Sequence, residues 1–158
     1  MVAAGARGAT VGVWLAAVAM TAATLAAQAP AAGPATLKAR LAPVPIDVAM
    51  QATIAGLGEA TATLTGTTLA LEGSYGGLVS PATSVRVYES ARPGMRGTLV
   101  GEFASGGGTR GTFKGTLTLT RAHADAFAKG LLYVQLQSER APDGNLWGWL
   151  TPPKGPRR

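Results

Sequence analysis

The sequence predicts an all-β fold: an antiparallel β-sandwich of about seven to nine strands, with one short helix before a final hairpin. Three observations predict it. Short runs in which apolar and polar residues alternate recur along the chain, separated by breaks rich in Gly, Pro and Asn. One stretch alone, residues 121–129 (RAHADAFAK), reads as a helix. Residues 129–150 (KGLLYVQLQSERAPDGNLWGWL) contain two alternating runs, 131–138 and 146–150, around a polar loop with Pro142, Asp143, Gly144 and Asn145, which is a hairpin signature.

The N-terminus reads as a targeting segment rather than as fold. Arg7 precedes a nearly unbroken run of small and apolar residues at 11–27, and small residues follow at Ala27, Ala29 and Ala31. That is the order of a secretory signal, expected to span residues 1–29 with cleavage between 26 and 32. An uncleaved membrane anchor is the alternative, since the run is barely long enough to span. The chain beyond this segment suits one domain with one core.

The chain has no cysteine, so stability comes from burial and strand pairing, and thiol, iron–sulfur and cysteine-linked haem chemistry are excluded. The net charge is +6, but Arg86, Arg92, Arg96, Arg110, Lys114, Arg121, Lys129 and Arg140 fall in different predicted elements. A nucleic-acid surface concentrates such charge on one face among aromatics, so no nucleic-acid partner is expected. A basic surface that meets anionic envelope material or an acidic partner accounts for the charge more simply.

In chain order, residues 30–45 are rich in Ala and Pro and predict a linker or loosely attached arm. Ile46, Val48, Met50 and Ile54 recur at even spacing and predict a half-buried strand. Residues 59–65 and a run beginning at Leu69, Leu71, Gly73 and Tyr75 predict two more, joined by a turn at Gly66. Residues 76–81 lengthen the connection, and residues 85–89 resume as a strand with Val85 and Val87 opposite Arg86 and Tyr88. Residues 99–104 and 111–119 flank Gly106, Gly107 and Gly108, a hairpin tip rather than a phosphate loop, because a strand and not a helix comes after it. Thr120 is placed to cap the helix and Gly130 to end it. Residues 151–158 form a Pro-rich basic tail unable to pair as a central strand.

Catalytic and metal chemistry find little support. His123 is the only histidine and is expected on the solvated side of the helix; zinc or copper sites draw on several His or Cys ligands. No nucleophile elbow surrounds any serine. The carboxylates are single and separated, and nothing favours a facing pair or a calcium loop. No cofactor is expected.

The aromatic residues carry more information. Trp147 and Trp149 share one strand face, opposite Leu146, Gly148 and Leu150. In the partner strand Leu132, Val134 and Leu136 form the better core face, leaving Tyr133, Gln135, Gln137, Trp147 and Trp149 together on the other side. Two readings stand: a second layer, a loop or the Pro-rich arm covers the tryptophans, or they form an exposed platform for a protein or glycan partner.

The stretch GLLYVQLQSERAPDGNLWGWL resembles the closing motif of the CHRD domain, first described in chordin and found in many exported bacterial proteins. The family motif runs Gly-x-Leu-Tyr-Val-Asn-Val-His-Thr, a short loop, then Gly-Glu-Ile-Arg-Gly-Gln; Gly130, Leu132, Tyr133, Val134, Gly144 and Gly148 match it. The preceding LTLT and short helix, SPATSVRVYESARPGMRG and ATATLTG extend the resemblance over residues 47–150. The domain proper is thus expected at 46–150. The resemblance implies immunoglobulin-like character for the sandwich.

The departures from the family fall on one set of positions. The family's paired histidines align with Arg86 and Tyr88, its Asn-Val-His with Gln135, Leu136 and Gln137, and its Arg and Gln around the last Gly with Trp147 and Trp149. Arg86 and Tyr88 therefore join the candidate binding residues, and no role of those histidines carries over. The expected function is a non-catalytic interaction module in the bacterial periplasm or outside the cell. It would bind a protein or glycan partner and have no membrane span after signal cleavage. The alternatives are an envelope enzyme acting on a small molecule or glycan, and an accessory subunit of a periplasmic redox or assembly complex.

Overall fold

The computed structural model describes residues 33–45 and 47–153. It opens on a strand, β1 (Ala35–Pro43), within the segment expected to be a linker. Composition concealed it: Leu37, Ala39 and Leu41 are buried while Thr36, Lys38 and Arg40 are exposed, an alternation set between Ala- and Pro-rich flanks. The expected signal segment lies outside the described residues. Among the described residues no helix is long and apolar enough to cross a membrane.

The strand expected at 46–54 is instead a run of turns. The Met50 amide meets the side chain and the carbonyl of Asp47 at 3.0 and 3.2 Å, and the Ile54 amide reaches Met50 O at 3.1 Å. Ile46 itself lies outside the described residues. The spacing of Met50 and Ile54 fits one helical turn as well as a strand, and Val48, 84 % exposed, has no sheet neighbour to bury it.

The remaining strands keep the expected rhythm. They are β2 (Leu57–Thr65), β3 (Thr68–Gly76), β4 (Ala82–Glu89), β5 (Thr98–Ala104), β6 (Gly111–Thr118), β7 (Leu132–Ser138) and β8 (Ala141–Trp149). Gly66, at φ 62°, supplies the positive φ of the tight β2–β3 turn. All eight strands pair antiparallel in the order β5-β4-β7-β8-β1-β2-β3-β6. The fold is all-β, with the two faces of a sandwich joined through β1: residues 35–41 pair with β2, and Ala42 and Pro43 pair with Trp147 and Leu146 of β8.

The sheet nearly closes on itself. β5 and β6 stand at the two ends of the strand order and no backbone ladder joins them. Side chains fill the seam instead. The Leu117 side chain occupies the space above Gly101 and the Phe103 ring that above Gly115, so that a Cβ at either glycine would stand 2.4 Å from its neighbour.

One core fills the interior, from Leu37, Leu41, Leu69 and Leu71 through Val85, Val87 and Phe113 to Leu132, Val134, Leu136, Leu146 and Leu150. The helix α1 (Arg121–Ala128) closes one end by inserting the fully buried Phe127. The Thr120 hydroxyl accepts from the His123 amide at 3.2 Å, and Gly130 takes φ 70° after the last turn, as its sequence signals require.

The closing hairpin turns at Glu139 and Arg140, not at the Pro142–Asn145 loop expected from sequence. Ser138 pairs with Ala141, and the next partners are Leu136 and Leu146. The extra residues in β8 form a bulge, where Gly144 at φ 130° leaves room for the Gln135 amide. The tail is shorter than expected too, because Thr151 still exchanges two backbone hydrogen bonds with Lys38, at 2.8 and 2.9 Å.

Candidate functional site

The division of the hairpin into two faces holds across the neighbouring strands. β4 pairs with β7 so that Ser84 faces Gln137, Arg86 faces Gln135 and Tyr88 faces Tyr133. β7 pairs with β8 so that Tyr133 faces Trp149 and Gln135 faces Trp147. Val85, Val87, Leu132, Val134, Leu136, Leu146 and Leu150 point into the core, so the residues between them share the outer face. All seven candidate residues, Arg86, Tyr88, Tyr133, Gln135, Gln137, Trp147 and Trp149, are therefore brought together on it.

They are not equally accessible. Tyr133, Gln135 and Gln137 are only 2, 4 and 2 % exposed, whereas Arg86, Tyr88, Trp147 and Trp149 are half-buried. Tyr133 is the centre of the cluster. Its ring stacks on Tyr88 at 5.2 Å and 11°, tilts against Trp149 at 4.8 Å and meets Trp147 edge-on at 5.8 Å. Trp147 and Trp149 are themselves 6.4 Å apart in a T-shaped contact. Such contacts contribute roughly 0.5–1.5 kcal/mol each beyond burial and hold the rings in fixed positions.

Two loops complete the cluster, and neither was visible as part of it in the sequence. The loop after β1 lays Val44, Met50 and Ile54 against Trp147 and Ala141, so this part of the expected platform is half covered. The loop after β4 returns over the opposite end, where the Gly97 amide donates to the Tyr133 hydroxyl at 3.0 Å. Gly97 passes so close to β4 that a Cβ there would collide with Glu89 O. Burial, opposed by the Gly97 amide, pushes the Tyr133 phenol above its ordinary pKa, so it is neutral in ordinary conditions.

Polar groups under the hairpin are tied down in the same way. Gln135 Nε2 donates to Asp143 O at 2.9 Å, across the bulge in β8. With its amide nitrogen toward β4, Gln137 donates to Ser84 O at 3.0 Å and reaches Gln135 O at 3.3 Å. Asn145 Nδ2 donates to Ser138 Oγ at 2.9 Å, and its buried Oδ1 has no protein partner among the described residues. These amides are framework rather than contact surface.

At the rim, Arg86 Nε donates to Glu102 Oε2 at 2.9 Å, and this carboxylate, with the Tyr88 hydroxyl second, raises the guanidinium above its ordinary pKa. Leu99 of β5 pairs opposite Tyr88 and is 49 % exposed, and Met95 in the loop before it is 55 % exposed. The histidine expected on a free helix surface is tethered: His123 Nδ1 lies 2.5 Å from Glu89 Oε2, joining α1 to the end of β4. Among the described residues no three His, Asp or Glu side chains gather as metal ligands.

Comparison with curated proteins and with solved structures returns no match to this chain. Comparison with protein families matches the CHRD domain over residues 35–150, from the first residue of β1 to the end of the closing hairpin. The chain therefore belongs to the CHRD domain family, whose members are small, generally non-catalytic β-modules.

Proposed function

We propose that this protein is a non-catalytic, exported interaction module that holds a protein or glycan partner in the cell envelope. The observation that carries the reading is the outer face of β4, β7 and β8, where half-exposed Tyr88, Trp147, Trp149 and Arg86 stand in front of the buried Tyr133, Gln135 and Gln137. Rings already locked against one another lose little conformational freedom on binding, and aromatic and arginine side chains dominate interface energetics. Leu99 and Met95 extend the apolar surface at its edge. Export is supported by the charged, apolar, small-residue order of the N-terminus.

The test pairs capture from a cell-envelope fraction and a glycan array with the variants Trp149→Ala and Arg86→Gln. A ligand retained by the parent and lost by both variants, at little change in melting, supports the reading; undiminished binding by both overturns it. N-terminal sequencing of the protein recovered from fractionated cells checks the export step.

A further inference from the structure

The outer face of the closing hairpin continues past Trp149 onto β1. There β1 meets β8 with Ala42 opposite Trp147 and Lys38 opposite Thr151, and the register common to the two contacts places Arg40 across from Trp149. Adjacent strands lie about 4.8 Å apart, so the Arg40 side chain leaves the sheet one strand away from the indole. Arg40 and Lys38 are exposed, and among the described residues neither has a carboxylate within ion-pair distance; Glu59 faces Arg40 in the β1–β2 register without closing on it. On the other side of the cluster, Arg96 directly precedes Gly97, whose amide holds the Tyr133 hydroxyl, and it too is exposed and unpaired. The row of Tyr88, Tyr133 and Trp149 thus runs between cations. Asp47 and Asp143 belong to the segments beside Trp147, one row further along: Asp47 to the loop after β1, Asp143 to the bulge where Gln135 donates to its carbonyl.

We propose, building on the aromatic face as the binding surface, that its ligand is an acidic polysaccharide, a uronate polymer whose sugar rings stack on Trp149 and whose carboxylates pair with Arg40, Lys38 and Arg96. Charge complementarity argues for an anion, since three unpaired cations flank the row against one unpaired carboxylate, Glu59. The half-exposed Trp149 ring, held by Tyr133 at 4.8 Å, offers a rigid surface to the C–H face of a sugar. One strand away stands a guanidinium whose planar fork takes a carboxylate through two parallel N–H bonds. A repeating uronate reaches cations on both sides of the rings, whereas a single small anion meets one of them. An acidic peptide in extended form needs a sheet edge with free backbone groups, and β4, β7, β8 and β1 each have a paired neighbour on both sides.

Isothermal titration of the full chain tests it with three probes: polygalacturonate, its fully methyl-esterified form at equal sugar concentration, and polyglutamate at equal carboxylate concentration. Polygalacturonate is expected to bind most tightly, and less tightly in raised salt. Arg40→Gln and Arg96→Gln are each expected to lose about fivefold, the upper range for a surface ion pair, and Trp149→Ala about thirtyfold. Absence of polygalacturonate binding overturns the proposal, as does equal affinity for the methyl ester, because the carboxylates then contribute nothing. Equal affinity for polyglutamate overturns the sugar assignment. Parental affinity in both arginine variants overturns the cation roles; one lies in a strand and the other in a loop, so Arg96→Gln decides even if Arg40→Gln unfolds. A methyl ester bound as well as the acid but lost in Trp149→Ala removes the charge preference and leaves the aromatic face as the binding surface. Polygalacturonate binding undiminished in both Trp149→Ala and Arg86→Gln removes the aromatic face itself.

Discussion

The Tyr133 hydroxyl accepts a hydrogen bond from the Gly97 amide at 3.0 Å, while the same ring stacks on Tyr88. One side chain thereby fixes a loop and an aromatic face together. Tyr133→Phe keeps the ring and leaves Gly97 without its acceptor, so it is expected to lower unfolding free energy by about 1 kcal/mol. Denaturant titration measures the loss, and faster proteolysis within residues 91–97 identifies the loop as the part released.

Stability at high pH depends on two phenols. Burial raises the pKa of Tyr75 and Tyr133 above the ordinary 10.0, against weaker opposing hydrogen bonds. A raised folded-state pKa gives stability that is fully present below pH 10 and is lost as pH climbs through the folded value. Melting temperature is therefore expected to fall in the alkaline range above that point, and less steeply in Tyr75→Phe and Tyr133→Phe. Identical slopes in parent and variants contradict it.

Trp147 and Trp149 are expected to separate. Trp147 holds the loop after β1 through Val44, Met50 and Ile54, so Trp147→Ala costs about 3 kcal/mol, toward the lower end for a truncated buried aromatic. Trp149→Ala, outside that satellite cluster, costs less. Thermal melts of the two variants rank them.

At Gly148 the backbone of β8 passes close to that of β1. A Cβ there would stand 2.4 Å from Arg40 O, which is backbone and has nowhere to move without opening the strand pair. Gly148→Ala is expected to destabilise by about 3 kcal/mol, the upper range for overpacking. Loss of amide protection at Lys38 and Thr151 shows whether the β1–β8 contact has parted.

Much of this architecture was legible as period-two alternation. β2 through β6, the helix with its Thr120 cap and Gly130 stop, and the two faces of the closing hairpin all obey local sequence rules. β1 escaped because Ala- and Pro-rich flanks outweighed the alternation of Leu37, Ala39 and Leu41. The 46–54 segment misled because Met50 and Ile54 suit a turn of helix as well as a strand. Pro142, Asp143, Gly144 and Asn145 have turn composition but form a bulge, with the chain reversing earlier at Glu139 and Arg140. Arg86 and Tyr88 joined the candidates only through the family resemblance, whereas the shared face of Tyr133, Gln135, Gln137, Trp147 and Trp149 was legible too. Their burial was not, because it comes from two loops distant in sequence, and only tertiary packing brings Gly97 to Tyr133 or Ile54 to the neighbourhood of Trp147.

The line between β5 and β6, closed by Phe103 over Gly115 and Leu117 over Gly101, has a consequence for solubility. An exposed strand edge is a template for another chain, and the usual defences are charge, proline or a covering element. Here each edge shields the other without a hydrogen bond between them. A substitution that pries the seam apart, such as Leu117→Asp, frees both edges at once, turning a hidden margin into two sites for intermolecular strand pairing.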